Sequence, residues 1–200
     1  MKTIKITQDN IDSLVKKASE IIRNSGVVIL PFDTVYGFAG SPKSEVALQK
    51  VFQLKERDFN KTIGLAVSDL EMFRNIAEIN KREEEYFKDK TPGKYTFIVK
   101  SKPDLGLSKY CIKNNTIGIR IPESDFVLNI IRSSGGIIAQ TSANKSGQPD
   151  CFSLDELLAQ YSEEELNQID LIIYGDTLEK TSPSRIIDLT GNEPREIDRS

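Results

Sequence analysis

The stretch at residues 27–40, VVILPFDTVYGFAG, constrains this chain more than any other. It opens on four apolar residues, Val27, Val28, Ile29 and Leu30, a run short and β-branched enough to be a buried strand. Pro31 has no N–H to give a neighbouring strand and is expected to end the pairing. Asp33, Thr34, Tyr36 and Gly37 then crowd at the strand's C-terminal end. In open α/β sheets, ligands sit just beyond such ends. Asp-Thr alone also fits a plain turn, so its weight depends on what else in the chain can face it.

The absence of histidine narrows the chemistry. It removes a Ser-His-Asp triad, a Cys-His pair, HExxH zinc chemistry and imidazole acid–base catalysis in one step. The two cysteines, Cys111 and Cys151, are far apart and form no CxxC, too few for a four-ligand structural zinc site. Chemistry must rest on Lys, Arg, Asp, Glu, hydroxyls, amides and backbone donors, a set suited to phosphates and carboxylates.

At 200 residues the chain is expected to form a single domain over 1–200. Its 38% hydrophobic and 28% charged content is that of a globular protein. A net charge of −3 does not advertise nucleic acid, although 27 Lys and Arg leave room for a local basic surface. No apolar run approaches the roughly 18 residues of a membrane span. The opening MKTIKITQDN lacks a signal-peptide core. The expectation is a cytoplasmic protein without membrane association.

Apolar periodicity predicts helices at 9–25, 44–54, 69–76, 80–88 and 125–133. In the first, Ile11, Leu14, Val15, Ala18, Ile21 and Ile22 form the core-facing stripe, Asp9 or Asn10 can cap it, and Gly26 fits the position just past its end. Strands are predicted at 63–67, after the turn at 92–95, and at 116–122, 136–140, 170–174 and 185–189. Residues 100–115 read as a flexible loop. Ser162 to Glu165 is a capping box that starts a short helix. Strands and helices intermingle throughout, which predicts an α/β fold with a mixed sheet.

Three places carry candidate chemistry. Lys55, Arg57 and Lys61 put three cations in seven residues at a helix exit. They suit either a solvated face or a triphosphate cradle, where Arg supplies a planar fork and Lys a mobile charge. The turn TSANKSG follows a buried strand and offers Ser142 and Asn144, with Gly147 allowing close approach of backbone. Arg120 leaves a strand end, as a surface cation or as a fork for a carboxylate.

Taken together, PFDTVYG, KERDFNK, PGKYT, TIGIRIP, TSANKSG and SRIIDLTG resemble, in order and spacing, the YrdC/TsaC family. The specific signal is a KxR motif, Lys55 and Arg57, paired with an SxN motif, Ser142 and Asn144. The resemblance runs from about residue 22 to the C-terminus. It implies a twisted, mostly parallel α/β sheet with flanking helices around a basic concave cleft. It also implies synthesis of threonylcarbamoyl-adenylate from L-threonine, bicarbonate and ATP, with Mg2+ accompanying the ATP, for threonylcarbamoyladenosine modification of tRNA.

By the same resemblance, Lys55, Arg57, Ser142 and Asn144 are catalytic. Thr34, Arg120, Ser142 and Ser184 bind threonine, with Arg120 on its carboxylate. Lys55, Arg57, Lys61, Thr116, Asn144 and Arg199 bind ATP. Implied partners are tRNA or double-stranded RNA and the proteins that transfer the threonylcarbamoyl group to tRNA. Phe32, Asp58, Lys94 and Arg185 depart from the family pattern, and Ala66 replaces a histidine that part of the family carries. The length matches the short, single-domain members. The alternative within the resemblance is a YciO-type paralogue, an RNA-binding, translation-linked module without this activity.

Overall fold

The structure, a computed structural model, describes residues 2–182 and 184–197. It begins with β1 (Thr3–Lys5), a 3-10 turn (Gln8–Asn10), α1 (Ile11–Arg23), β2 (Val27–Pro31), β3 (Tyr36–Gly40) and α2 (Glu45–Leu54). The middle of the chain gives β4 (Gly64–Val67), α3 (Leu70–Ile76), β5 (Ala77–Glu78), α4 (Lys81–Asp89), β6 (Tyr95–Ser101), β7 (Thr116–Arg120) and α5 (Asp125–Ser133). It closes with β8 (Ile137–Ser142), α6 (Leu154–Leu158), α7 (Glu163–Leu166), β9 (Leu171–Tyr174), β10 (Arg185–Asp188) and β11 (Arg195–Ile197). Among the described residues no helix is long and apolar enough to cross a membrane.

The strands form one sheet in the order β1-β9-β2-β3-β8-β4-β7-β6-β10-β11, with β5 pairing separately with β6. The pairings β1–β9, β9–β2, β4–β7 and β6–β10 are parallel and the others antiparallel. This is the mixed α/β architecture that the intermingled pattern predicts.

Helix starts follow their caps. Ser44, Asp69, Asn80, Ser124 and Ser162 each accept a hydrogen bond from a backbone N–H three residues on, relieving a donor that has no partner inside the helix. Glu165 completes the expected capping box at Ser162. At the end of α1 the left-handed residue is Ser25, with φ 64°, rather than Gly26. Gly26 is needed for a different reason: a Cβ there would lie 2.4 Å from Ile21 Cγ2.

The opening stretch is a hairpin, not a strand followed by a turn. Pro31 pairs with Tyr36, and Val27 with Gly40. Pro31 is tolerated because β9 pairs only with Val28 and Ile29, so no second strand asks for its missing N–H. The segment after β6 is anchored rather than free. Ser108 N–H donates to Pro42 O at 2.9 Å, Ile63 N–H donates to Tyr110 O at 2.7 Å, and Cys111 is fully buried.

Side chains alternate across a strand, so register assigns each residue to a face of the sheet. One face carries Phe38, Gly40, Leu65, Ala139, Ile119 and Phe97. A Cβ on Gly40 would meet Ala47 of α2, Phe97 packs on Phe87 of α4, and Phe87 stacks on Phe73 of α3. These helices cover that face. The opposite face carries Ser142, Gln140, Gly64, Gly118, Arg120, Thr116, Thr96 and Ile98. Most of them are only half-buried, so the sheet is open there.

Candidate functional site

The open face is floored by glycine. Gly64 in β4 and Gly118 in β7 lie side by side, and a Cβ on Gly118 would be 4.0 Å from Gly64 Cα and 3.6 Å from Thr96 Cγ2. Gln140 flanks Gly64 on β8, with Ala39 on its other side. Gln140 is half-buried, and its position in the middle of the floor is not evident from its place in the sequence.

Ser142 ends β8, Asn144 lies two residues beyond it, and Lys55 caps the C-terminus of α2. The structure brings the two motifs into direct contact. Lys55, 2% exposed, donates from Nζ to Ser142 O, to Asn144 O at 2.6 Å and to Asn144 Oδ1 at 3.1 Å. Ser142 Oγ donates to the same Oδ1 at 2.6 Å, and Asn144 Nδ2 donates to Gln148 O at 2.6 Å. Ser146 N–H donates back to Lys55 O at 2.7 Å. Lys55 is therefore a strut that shapes the SxN turn, where the sequence suggested a side chain reaching for phosphate. Burial, reinforced by the neighbouring positive charge of Arg57, moves its amine from 10.5 to about 7.

Arg57 is half-buried beside this turn, and its Nη2 donates to Thr62 O at 2.8 Å. Lys61 stands exposed on the same loop. Thr116 begins β7, at the far end of the floor from Arg120, and its hydroxyl donates to Lys113 O at 2.7 Å. Ser184 is buried and its Oγ lies 3.0 Å from Thr96 Oγ1 at the floor's edge. Arg199 falls outside the described residues.

Arg120 and Thr34 meet, with Nη1 3.5 Å from Thr34 Oγ1. Arg120 is not the open fork that the sequence suggested. Its Nη2 donates to both oxygens of Asp33, at 2.7 and 2.6 Å, and lies 3.3 Å from Gly93 O. Asp33 also accepts from Glu123 N–H at 3.3 Å. Asp33 sits in the turn that sequence inspection singled out, but its partner is 87 residues away and no local pattern announces the pair.

Both thiols are buried, and Cys151 lies behind the SxN turn, with Sγ donating to Ala143 O at 3.7 Å. Burial pushes Cys111 up to about 12 and Cys151 to about 11, so neither offers a thiolate near neutral pH. The arrangement sets Lys55, Arg57 and Arg120 among hydroxyls and amides, a set suited to orienting anionic groups.

The fold is shared with known proteins. The family model Sua5/YciO/YrdC, described as "Telomere recombination", matches residues 20–200. An uncharacterized protein of Haemophilus influenzae is 27% identical over 186 residues, covering 90% of this chain and 86% of that protein. The structure is similar to a H234A/Y235A variant of P. abyssi Sua5, with a TM-score of 0.88 and 25% identity, over 98% of this chain and 56% of that one. It is also similar to E. coli YciO, with a TM-score of 0.83 and 26% identity, over 98% of this chain and 93% of that one. P. abyssi Sua5 complexed with L-threonine gives a TM-score of 0.85 at 24% identity, again over 98% and 56% of the two chains. The chain thus spans a little over half of Sua5 and nearly all of YciO, and with the family model matched over residues 20–200 it belongs to the Sua5/YciO/YrdC family.

Proposed function

We propose that the protein is an L-threonylcarbamoyladenylate synthase, making threonylcarbamoyl-AMP and pyrophosphate from L-threonine, bicarbonate and ATP. The observation that carries this reading is the direct coupling of the KxR and SxN motifs through Lys55, together with the Arg120–Thr34 pair. One end of the cleft then suits a phosphate chain and the other an amino-acid carboxylate. A relative crystallised with L-threonine, P. abyssi Sua5, supports the choice of amino acid.

In this reading threonine's amine condenses with bicarbonate with loss of water, or adds to CO2 with loss of a proton, to form a carbamate, whose oxygen attacks the α-phosphate of ATP as pyrophosphate leaves. The chain's part is to hold the reactants in line and to neutralise charge. Arg120 and Thr34 would seat the carboxylate, with Ser184 at the edge of the floor. Arg57, Lys61 and the turn shaped by Lys55 would hold the phosphates, with Ser142 and Asn144 between the two reactants. Mg2+ would enter on the ATP phosphates; among the described residues no cluster of three His, Cys, Asp or Glu side chains could hold a metal ion. The product would pass to proteins that transfer the threonylcarbamoyl group to tRNA.

A second reading has its own support. The fold is also that of E. coli YciO, with a TM-score of 0.83 at 26% identity, which suits a YciO-type RNA-binding paralogue without synthase activity as well. Pyrophosphate release with each substrate withheld in turn separates the two. The synthase needs threonine and bicarbonate together, and the paralogue releases none.

A further inference from the structure

Asp33 and Arg120 form a strongly tied ion pair at the amino-acid end of the cleft, and the proposed reaction gives Asp33 no role. Both groups are buried. Asp33 does not meet the guanidinium as a two-nitrogen fork. Both carboxylate oxygens fall on Nη2, which also approaches Gly93 O. The acceptors on this one nitrogen outnumber its two hydrogens. Nη1 has only the 3.5 Å approach to Thr34 Oγ1, and Nε has no partner among the described residues. The guanidinium is thus held from one corner with Nη1 turned toward the threonine hydroxyl. Asp33 is itself fixed by Glu123 N–H, just past β7.

We propose that Asp33 is a positioning residue, which holds Arg120 by Nη2 so that Nη1 and Thr34 Oγ1 together present donors to the carboxylate of the amino-acid substrate; this rests on the synthase reading of the cleft. A buried Arg without its counter-charge would also lose the partner that makes its burial tolerable. The opposite reading of the same contact makes Asp33 a competitor, a carboxylate of the protein lying where the substrate's would go. The two readings differ in sign, because removing a competitor tightens binding and removing a positioning group weakens it.

The test is calorimetric binding of L-threonine and of L-threoninol, which lacks the carboxylate, to the wild-type protein, Asp33→Asn and Asp33→Glu, with thermal melting alongside. The readout is the ratio of the two affinities, which general damage to the cleft would not change. Asp33→Asn is expected to lower this ratio about 10-fold or more, the scale of a charge-assisted hydrogen bond, and to leave ATP affinity unchanged. Asp33→Glu keeps the charge but shifts the carboxylate by one methylene, and is expected to lower the ratio less. It decides the matter if Asp33→Asn does not fold. An unchanged or increased ratio in a folded variant overturns the role of Asp33 and leaves the synthase standing. Failure of the wild-type protein to bind threonine overturns the synthase reading and this role with it.

Discussion

The Lys55 ammonium lies 2.6 Å from the carbonyl oxygen of Asn144 and 3.1 Å from its side-chain oxygen, 89 residues on. Together with Ser142 O, these acceptors use all three of its N–H donors. A lysine committed in this way acts as the inner support of the SxN turn. Its charge reaches a ligand through the shape and potential of that turn.

Lys55→Met is therefore expected to destabilise the fold, because Ser142 O and Asn144 O lose a buried donor. The expected cost is about 2 kcal/mol. A lysine that only reached for phosphate would be neutral or stabilising to remove from the free protein. Denaturant unfolding of the two proteins without ligand measures the difference.

The depressed Lys55 amine also predicts a pH dependence. Its folded value of about 7 lies below its ordinary 10.5, so the unfolded chain binds more protons between them. This group's contribution to stability therefore rises as pH rises from about 7 to 10.5, and its penalty is greatest below 7. A polyphosphate bound nearby favours the charged form, so ATP binding at pH 8 should take up about one proton. Calorimetry in two buffers of different ionisation enthalpy reads this uptake, which should vanish in Lys55→Met.

The glycine floor predicts a separation of folding from binding. A Cβ on Gly118 meets only ordinary contacts, at 3.6 and 4.0 Å. Gly118→Val should fold with a melting temperature near that of the wild type, since a β-branched residue suits a strand. Its side chain would stand in the cleft and weaken ATP or threonine binding at least 10-fold, measurable by calorimetry.

At Gly136 the backbone has φ +84°, and a Cβ would fall 2.4 Å from Met72 Cε. Gly136→Ala should cost about 1–3 kcal/mol from left-handed strain and crowding. The substitution lies before β8 and not on the cleft floor, so threonine affinity in the folded protein should be unchanged. Thermal unfolding and calorimetric binding check the two halves of this prediction.

Much of this architecture was legible in local sequence because its signals are local. Ser44, Asp69, Asn80, Ser124 and Ser162 mark helix starts by their own hydrogen bonds. The KxR and SxN motifs stand out by residue type and spacing. β3 was not legible: YGFAG has two glycines and no β-branched residue, and it is a strand because β2 and β8 pair with it on both sides. β1 and β11 are three-residue edge strands, too short to show alternation. The Asp33–Arg120 pair and the inward role of Lys55 depend on which strand ends meet, which only the sheet order decides.

The most direct measurement is pyrophosphate release from ATP, with L-threonine and bicarbonate each present or withheld. The account predicts release only when both are present, falling on the order of 100-fold in Arg57→Ala and Asn144→Ala. ATP binding without release under any combination would contradict it and favour the YciO-type reading.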